Sequence, residues 1–234
     1  MLERVTIPDS VVHIYHNTFS GCINLTEITI PEGVTSIFGG LFYGCSNLKK
    51  VVLPPNLTVI GDYVFTNCSS LEFAEIPDKV TVIEEYAFLG CESLEKIVIP
   101  NSVISIGERA FELCTGAKEL MLGNNLEKIG AYAFQSCKSV KDIVIPDSVK
   151  EIEECAFSGC ESLIDITVPK SVTVLGRRSF GGCANLKTAV INASIDKLEA
   201  FGFSGCDNLE SITLGEGIEI IDGMTIYDLK GLKK

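Results

Sequence analysis

The 234-residue chain contains no tryptophan, three methionines and two histidines. Both histidines fall in the run HIYH, as His13 and His16, with no acid or nucleophile tied to them by a recognisable motif. A metal site needs a third and fourth partner, so this pair reads as surface. No apolar stretch reaches the roughly eighteen residues of a bilayer-spanning helix. The positive mean hydropathy of +0.31 comes instead from short apolar runs broken by proline, glycine and charge. Basic residues are scarce, 19 against 31 acidic, for a net charge of −12. That balance argues against a nucleic-acid or anionic-membrane surface built on clustered lysine and arginine, and the short apolar runs argue against membrane insertion. G-x-S-x-G, H-E-x-x-H, a phosphate-cradling G-x-x-x-x-G-K and a dinucleotide fingerprint are all missing. The pairs Glu84–Glu85 and Glu153–Glu154 recur at equivalent positions and read as surface charge rather than as a general acid and base. The expectation is a non-enzymatic protein with no cofactor, no metal and no catalytic residue. Met1 leads straight into repetitive sequence, without the basic and apolar regions of a secretory signal.

What the chain does have is a period. Cys22, Cys45, Cys68, Cys91, Cys114, Cys137, Cys160, Cys183 and Cys206 are each 23 residues apart, and Phe19 to Phe203 keep the same step without one insertion. Two columns in register at that spacing are the signature of a solenoid. The unit runs Leu94, Ile97, Ile99, Pro100, Val103, Ile106, Gly107, Ala110, Phe111, Cys114. Alternation at Ile28 and Ile30, and at Ile97 and Ile99, predicts a short strand with one side facing in. Stacked coils then form a parallel sheet. The prolines at 8, 31, 54, 77, 100, 146 and 169 end each strand, since proline offers no N–H to a ladder. Val34 and Ile37, or Val80 and Ile83, predict an extended return segment. EEYAF, GERAF and EECAF predict about one helical turn each, acidic at the start and glycine-closed.

This pattern, with its proline after the strand, its Ala-Phe pair and its Gly-Cys pair, resembles the leucine-rich repeats of the BspA-like (treponemal) class from Leu2 to about Lys230. The fold expected is an α/β leucine-rich repeat solenoid of about ten coils, with a parallel sheet on one face and extended segments and single helical turns on the other. It spans 1–234 as a single domain, 214–234 being a degenerate closing coil in which Ile226, Leu229 and Leu232 keep the apolar phases. The resemblance implies a protein-recognition role: an adhesin-type module, extracellular or at the cell surface, binding matrix or host-cell proteins. An intracellular, cytoplasmic scaffold or effector is the alternative, suggested by the missing signal and by thiols that a reducing cytosol would keep free.

Ten cysteines could mean disulfides, metal or a nucleophile. In-register neighbours lie at bridging distance but point the same way, and there is no C-x-x-C pair, so the column reads as small buried hydrophobes beside phenylalanine. Cys155 stands outside the column, where other coils carry Tyr63, Tyr86, Arg109, Tyr132 and Arg178, and is expected to be the more exposed thiol. Asn24, Asn56, Asn67 and Asn192 each begin an N-x-S/T acceptor pattern, relevant only in a eukaryotic secretory pathway.

Solenoids bind along the outward side of their strands. One outward column runs Arg4, Glu27, Lys50, Phe73, Lys96, Glu119; the next runs Thr6, Thr29, Val52, Glu75, Val98, Met121. The candidate ligand-binding residues are Lys50, Val52, Phe73, Glu75, Lys96, Val98 and Met121, an aromatic flanked by cations over an apolar floor. Against that stands the small Ala74 beside Phe73, which favours the plainer reading that Phe73 leans over to fill a gap. Tyr63, Tyr86 and Tyr132, beside Asp62 and Glu85, form a second polar aromatic strip on the opposite side. Ala117 and Gly123, then Asn192 and Gly202, break the unit in two coils, where curvature is expected to change. Val5, Ile7, Val11 and Ile14 have no coil before them in this sequence, which is read first as upstream repeats or a signal and anchor region cut away, and otherwise as end-to-end self-association with another chain, a further partner expectation.

Overall fold

The protein is described by a computed structural model that covers residues 2–200 and 202–223. The expected helical turns are absent: the described residues contain no helix, and sixteen short strands account for about eight turns rather than ten. The proposed closing coil is described only as far as Gly223, and Ile226, Leu229 and Leu232 lie outside the described residues.

Two parallel ladders run along the solenoid. One contains Glu27–Thr29, Lys50–Val52, Phe73–Ala74, Lys96–Val98, Glu119–Met121, Asp165–Val168, Thr188–Ile191 and Ser211–Leu214. The other is the return side, continuous from Val59–Ile60 through Val82–Ile83, Ser105–Ile106, Lys128–Ile129 and Glu151–Ile152 to Val174–Leu175. Register advances by one coil at every step, as in Glu27 with Lys50 and Ile60 with Ile83. The first ladder is not continuous. Phe73–Ala74 makes no pairing with Lys96–Val98, and Glu119–Met121, in the coil where Gly123 replaces proline, ends a two-stranded piece. The other irregular coil behaves differently: Asn192 has the N–H that proline lacks and donates it to Val168 O at 2.9 Å, which carries the ladder past the four-residue strand Thr188–Ile191.

The segments expected to be helical are successive turns whose alternate N–H groups point out of the coil. Thr66 N donates to Tyr63 O and Cys68 N to Phe65 O within the coil, while Tyr63, Phe65 and Asn67 donate to Glu85, Ala87 and Leu89 of the next coil at 2.7–3.0 Å. A helical turn would leave its first N–H groups without partners, whereas the stacked neighbour supplies an acceptor for each. The required backbone places Tyr63, Tyr86, Arg109, Tyr132, Cys155 and Arg178 in the left-handed region, at φ of 53–59°.

The interior is one cluster from Phe19 to Leu209. Nine phenylalanine rings stack through it with centroids 4.9–5.9 Å apart. Beside them each buried thiol of the cysteine column donates to the phenylalanine carbonyl of the preceding coil, from Cys45 to Phe19 at 3.0 Å to Cys206 to Phe180 at 3.2 Å. None of the ten cysteines is in a disulfide. Coils approach closely on the return side, where a Cβ on Gly107 or Gly130 would stand 2.7 Å from backbone of the coil before.

Candidate functional site

Strand alternation sends every second side chain of the interrupted ladder outward. Val52, Phe73, Val98, Met121 and Val144 are all exposed, by 43% to 78%, so the outward side carries a row of apolar groups over several coils. Phe73 is half exposed and half covered. Ala74 is partly buried, and the ladder is broken beside it.

The candidate residues fall into two groups. Lys50, Val52, Phe73 and Glu75 line one cavity of about 500 Å³, walled by Leu53, Pro55, Ile76, Pro77, Asp78 and Lys79. Lys50 stands opposite Phe73 in the register. Lys96, Val98 and Met121 belong to the next piece of sheet, across the break, with Val98 opposite Met121. Lys96 is engaged by Glu119 at 2.7 Å, so it is not a free cation beside Phe73. Val144, the most exposed of the row, was not among the candidates, although a 23-residue step from Met121 lands on it. Its signal was the column itself.

On the opposite side the tyrosine strip is ordered. Tyr63 and Tyr86 stack with centroids 4.7 Å apart and planes within 4°. The Arg109 guanidinium lies 4.4 Å above the Tyr132 ring and pairs with Glu108 at 3.2 Å and Glu112 at 2.8 Å. Tyr86 Oη donates to Glu108 at 3.4 Å, and burial together with that carboxylate raises its pKa. Cys155 is not the exposed thiol expected from its position. It is 6% exposed, and burial and then the Glu154 carboxylate push its pKa up, which makes it a poor nucleophile. His13 and His16 line a small cavity with Tyr15 and Phe38, and no group of three metal-ligating side chains occurs among the described residues.

A solenoid of parallel strands and inward leucine, phenylalanine and cysteine columns defines a leucine-rich repeat protein. The model of the BspA type leucine rich repeat region matches in six copies over residues 1–118, 82–197 and 127–234, and the chain belongs to that family. Its fold is similar to a leucine-rich repeat protein from Bacteroides ovatus, at 26% identity over 99% of this chain and 72% of that one, with a TM-score of 0.69. It is also similar to the T. pallidum leucine rich repeat protein, at 30% identity over 68% and 77% of the two chains and a TM-score of 0.63. A leucine-rich repeat protein from Eubacterium ventriosum shares 25% identity over 93% and 68%, with a TM-score of 0.59. No curated protein matches in sequence. The family is a repeat class and no catalytic family is indicated. No helix among the described residues is long and apolar enough to cross a membrane.

Proposed function

We propose that the protein is a non-catalytic protein-recognition module that engages its partner along the outward side of the interrupted ladder. The observation that carries this reading is the exposed row of Val52, Phe73, Val98, Met121 and Val144 beside the cavity of about 500 Å³. A half-exposed aromatic next to Lys50, at the rim of a pocket, has the composition of an interface hot spot. Membership of the BspA-type family supports an adhesin-like role at the cell surface or outside the cell, toward a matrix or host-cell protein. The intracellular scaffold reading draws on a different observation, ten cysteines with no disulfide.

The test is surface plasmon resonance against a panel of matrix and host-cell proteins, with Phe73→Ala in parallel. Saturable binding at micromolar affinity or better, weakened at least tenfold in the variant, is the expected result. Equal binding by the variant would remove the outward side from consideration, and no binding across the panel would turn the search to intracellular partners. Self-association through the first coil belongs to the same proposal. Residues 2–8 form no strand, and Val5, Ile7, Val11 and Ile14 stay only half buried, so a second copy could cover them. Sedimentation velocity on Ile7→Lys against the parent chain reads it directly: concentration-dependent dimers lost in the variant support it, and a monomer at all concentrations rejects it.

A further inference from the structure

The tyrosine strip has one unfinished end. Its column runs Asn17, Gly40, Tyr63, Tyr86, Arg109 and Tyr132, all six at positive φ. A bulky residue in that region is disfavoured by about 1 kcal/mol or more, and asparagine or glycine would avoid most of the penalty. The chain nevertheless places rings and a guanidinium there in consecutive coils. Their stacking is the compensation: Tyr63 on Tyr86, and Arg109 above Tyr132. Tyr86 covers one face of Tyr63. The other face looks along the stack toward Gly40, which has no side chain to lay on it. Tyr63 is 39% exposed.

The surroundings of that face are acceptors. Asn17 Oδ1 stands 2.6 Å from where a Gly40 Cβ would be, so an amide oxygen borders the backbone end of that place. The Asp62 carboxylate accepts the Gly39 N–H at 3.2 Å, which keeps it on the same side. Asp62 also shares a cavity of about 530 Å³ with Glu84 and Glu85. Lys128, the cation lining that cavity, is taken by Glu151 and by Glu153 at 2.7 Å. Along the same column the chain displays what such a place accepts, in the guanidinium of Arg109 over the Tyr132 ring and bonded to two carboxylates.

We infer that the free face of Tyr63, with Asp62 and Asn17 beside it, is a second recognition site that takes an arginine side chain from an extended segment of a protein partner. The guanidinium would continue the column on its open side, stacked on Tyr63 and bonded to the Asp62 carboxylate. The site stands independently of the strand-side proposal, because no residue is shared between them.

The test titrates the full chain with tetra-arginine amide, tetra-lysine amide and tetra-citrulline amide, following tyrosine ring resonances by NMR and affinity by calorimetry. Tyr63→Asn removes the ring while keeping a residue suited to left-handed backbone, as Asn17 is in the first coil. Asp62→Asn removes the charge and leaves the ring. The arginine peptide is expected to bind saturably and at least threefold tighter than the lysine peptide, the citrulline peptide not at all, with Tyr63 among the shifted rings. Each variant should weaken arginine binding about tenfold, while Glu210→Gln, which removes an equal charge from an exposed position several coils away, leaves it unchanged. Unaltered affinity in both variants, an equal loss in Glu210→Gln, or no saturable binding would overturn the inference. Loss of strand-side binding in Phe73→Ala with arginine binding intact would separate the two sites.

Discussion

Each buried thiol in the column does two things at once. It fills a small apolar space, and it donates to a phenylalanine carbonyl that already accepts an N–H from its own coil, as Phe65 O does from Cys68 N at 3.0 Å and from Cys91 Sγ at 3.3 Å. A thiolate could not donate, and burial disfavours it further: the Cys45 thiol is pushed from 9.0 up to about 11 and Cys160 to about 12. Because the folded values lie above the unfolded one, the stability these thiols contribute is complete below pH 9 and is lost as pH rises toward 11 or 12. Each such thiol should subtract about 1.4 kcal/mol per pH unit in that window. Urea unfolding at pH 8 and pH 10 should therefore show a marked fall in midpoint, and Cys160→Ala should lessen it by that one thiol's share. Alkylation of the native protein at pH 8, read by intact mass, should be confined to the half-buried Cys22, with all ten thiols reacting after unfolding. Labelling of Cys155 in the native state would contradict the burial described for it.

At the scale of the coil, stability is a matter of what the neighbour supplies. Each ring of the phenylalanine stack touches one ring above and one below, so Phe111→Ala removes two contacts and should cost about 3–5 kcal/mol. Hydrogen exchange should rise in the coils around Phe88, Phe111 and Phe134 well before the chain unfolds as a whole, since repeat arrays lose structure by neighbouring units. Uniform exchange along the chain would show tighter cooperativity than stacking alone provides. Gly130 has an ordinary backbone angle, yet a Cβ there would meet Gly107 backbone at 2.7 Å. Gly130→Ala should destabilise by about 1–3 kcal/mol through crowding between coils, measured by the urea midpoint. Phe73→Ala should change stability by less than about 1 kcal/mol, because its ring is half in solvent.

Across the whole molecule, opposite charges recur one coil apart. Arg4 faces Glu27, Lys49 faces Glu72, Lys96 faces Glu119, Lys128 faces Glu151 and Lys138 faces Glu161. Such exposed pairs stabilise by only about 0.2–1 kcal/mol each. Their effect is on register, since slipping one coil against another would separate these opposite charges in a chain whose units are nearly alike. The reversal Lys96→Glu should therefore cost little in stability while placing like charges opposite each other, visible as a drop of a few degrees in Tm at low salt that disappears in 1 M NaCl.

The period, the core columns and the strand ends were all legible in the amino acids, because a residue such as Phe111 or Pro100 repeats every 23 positions and each has one physical use there. The outward columns were legible too, including Val144, which follows from the same step. What the one-dimensional pattern could not contain was the partner of each backbone N–H. EEYAF looks like a helical turn to any rule based on neighbours in sequence, but the acceptors for Tyr86 and Phe88 are Glu108 and Ala110 of the next coil, at 2.8 and 2.7 Å, and that choice replaces helix by linked turns. At the left-handed positions that result, Cys155 is buried while Tyr63 stays exposed, a difference its place in the column does not announce. Where the ladder breaks, beside Phe73 and after Met121, was likewise a tertiary outcome. Composition and spacing determined which side chains stack, and the stacking then determined which hydrogen bonds and surfaces were left for a partner.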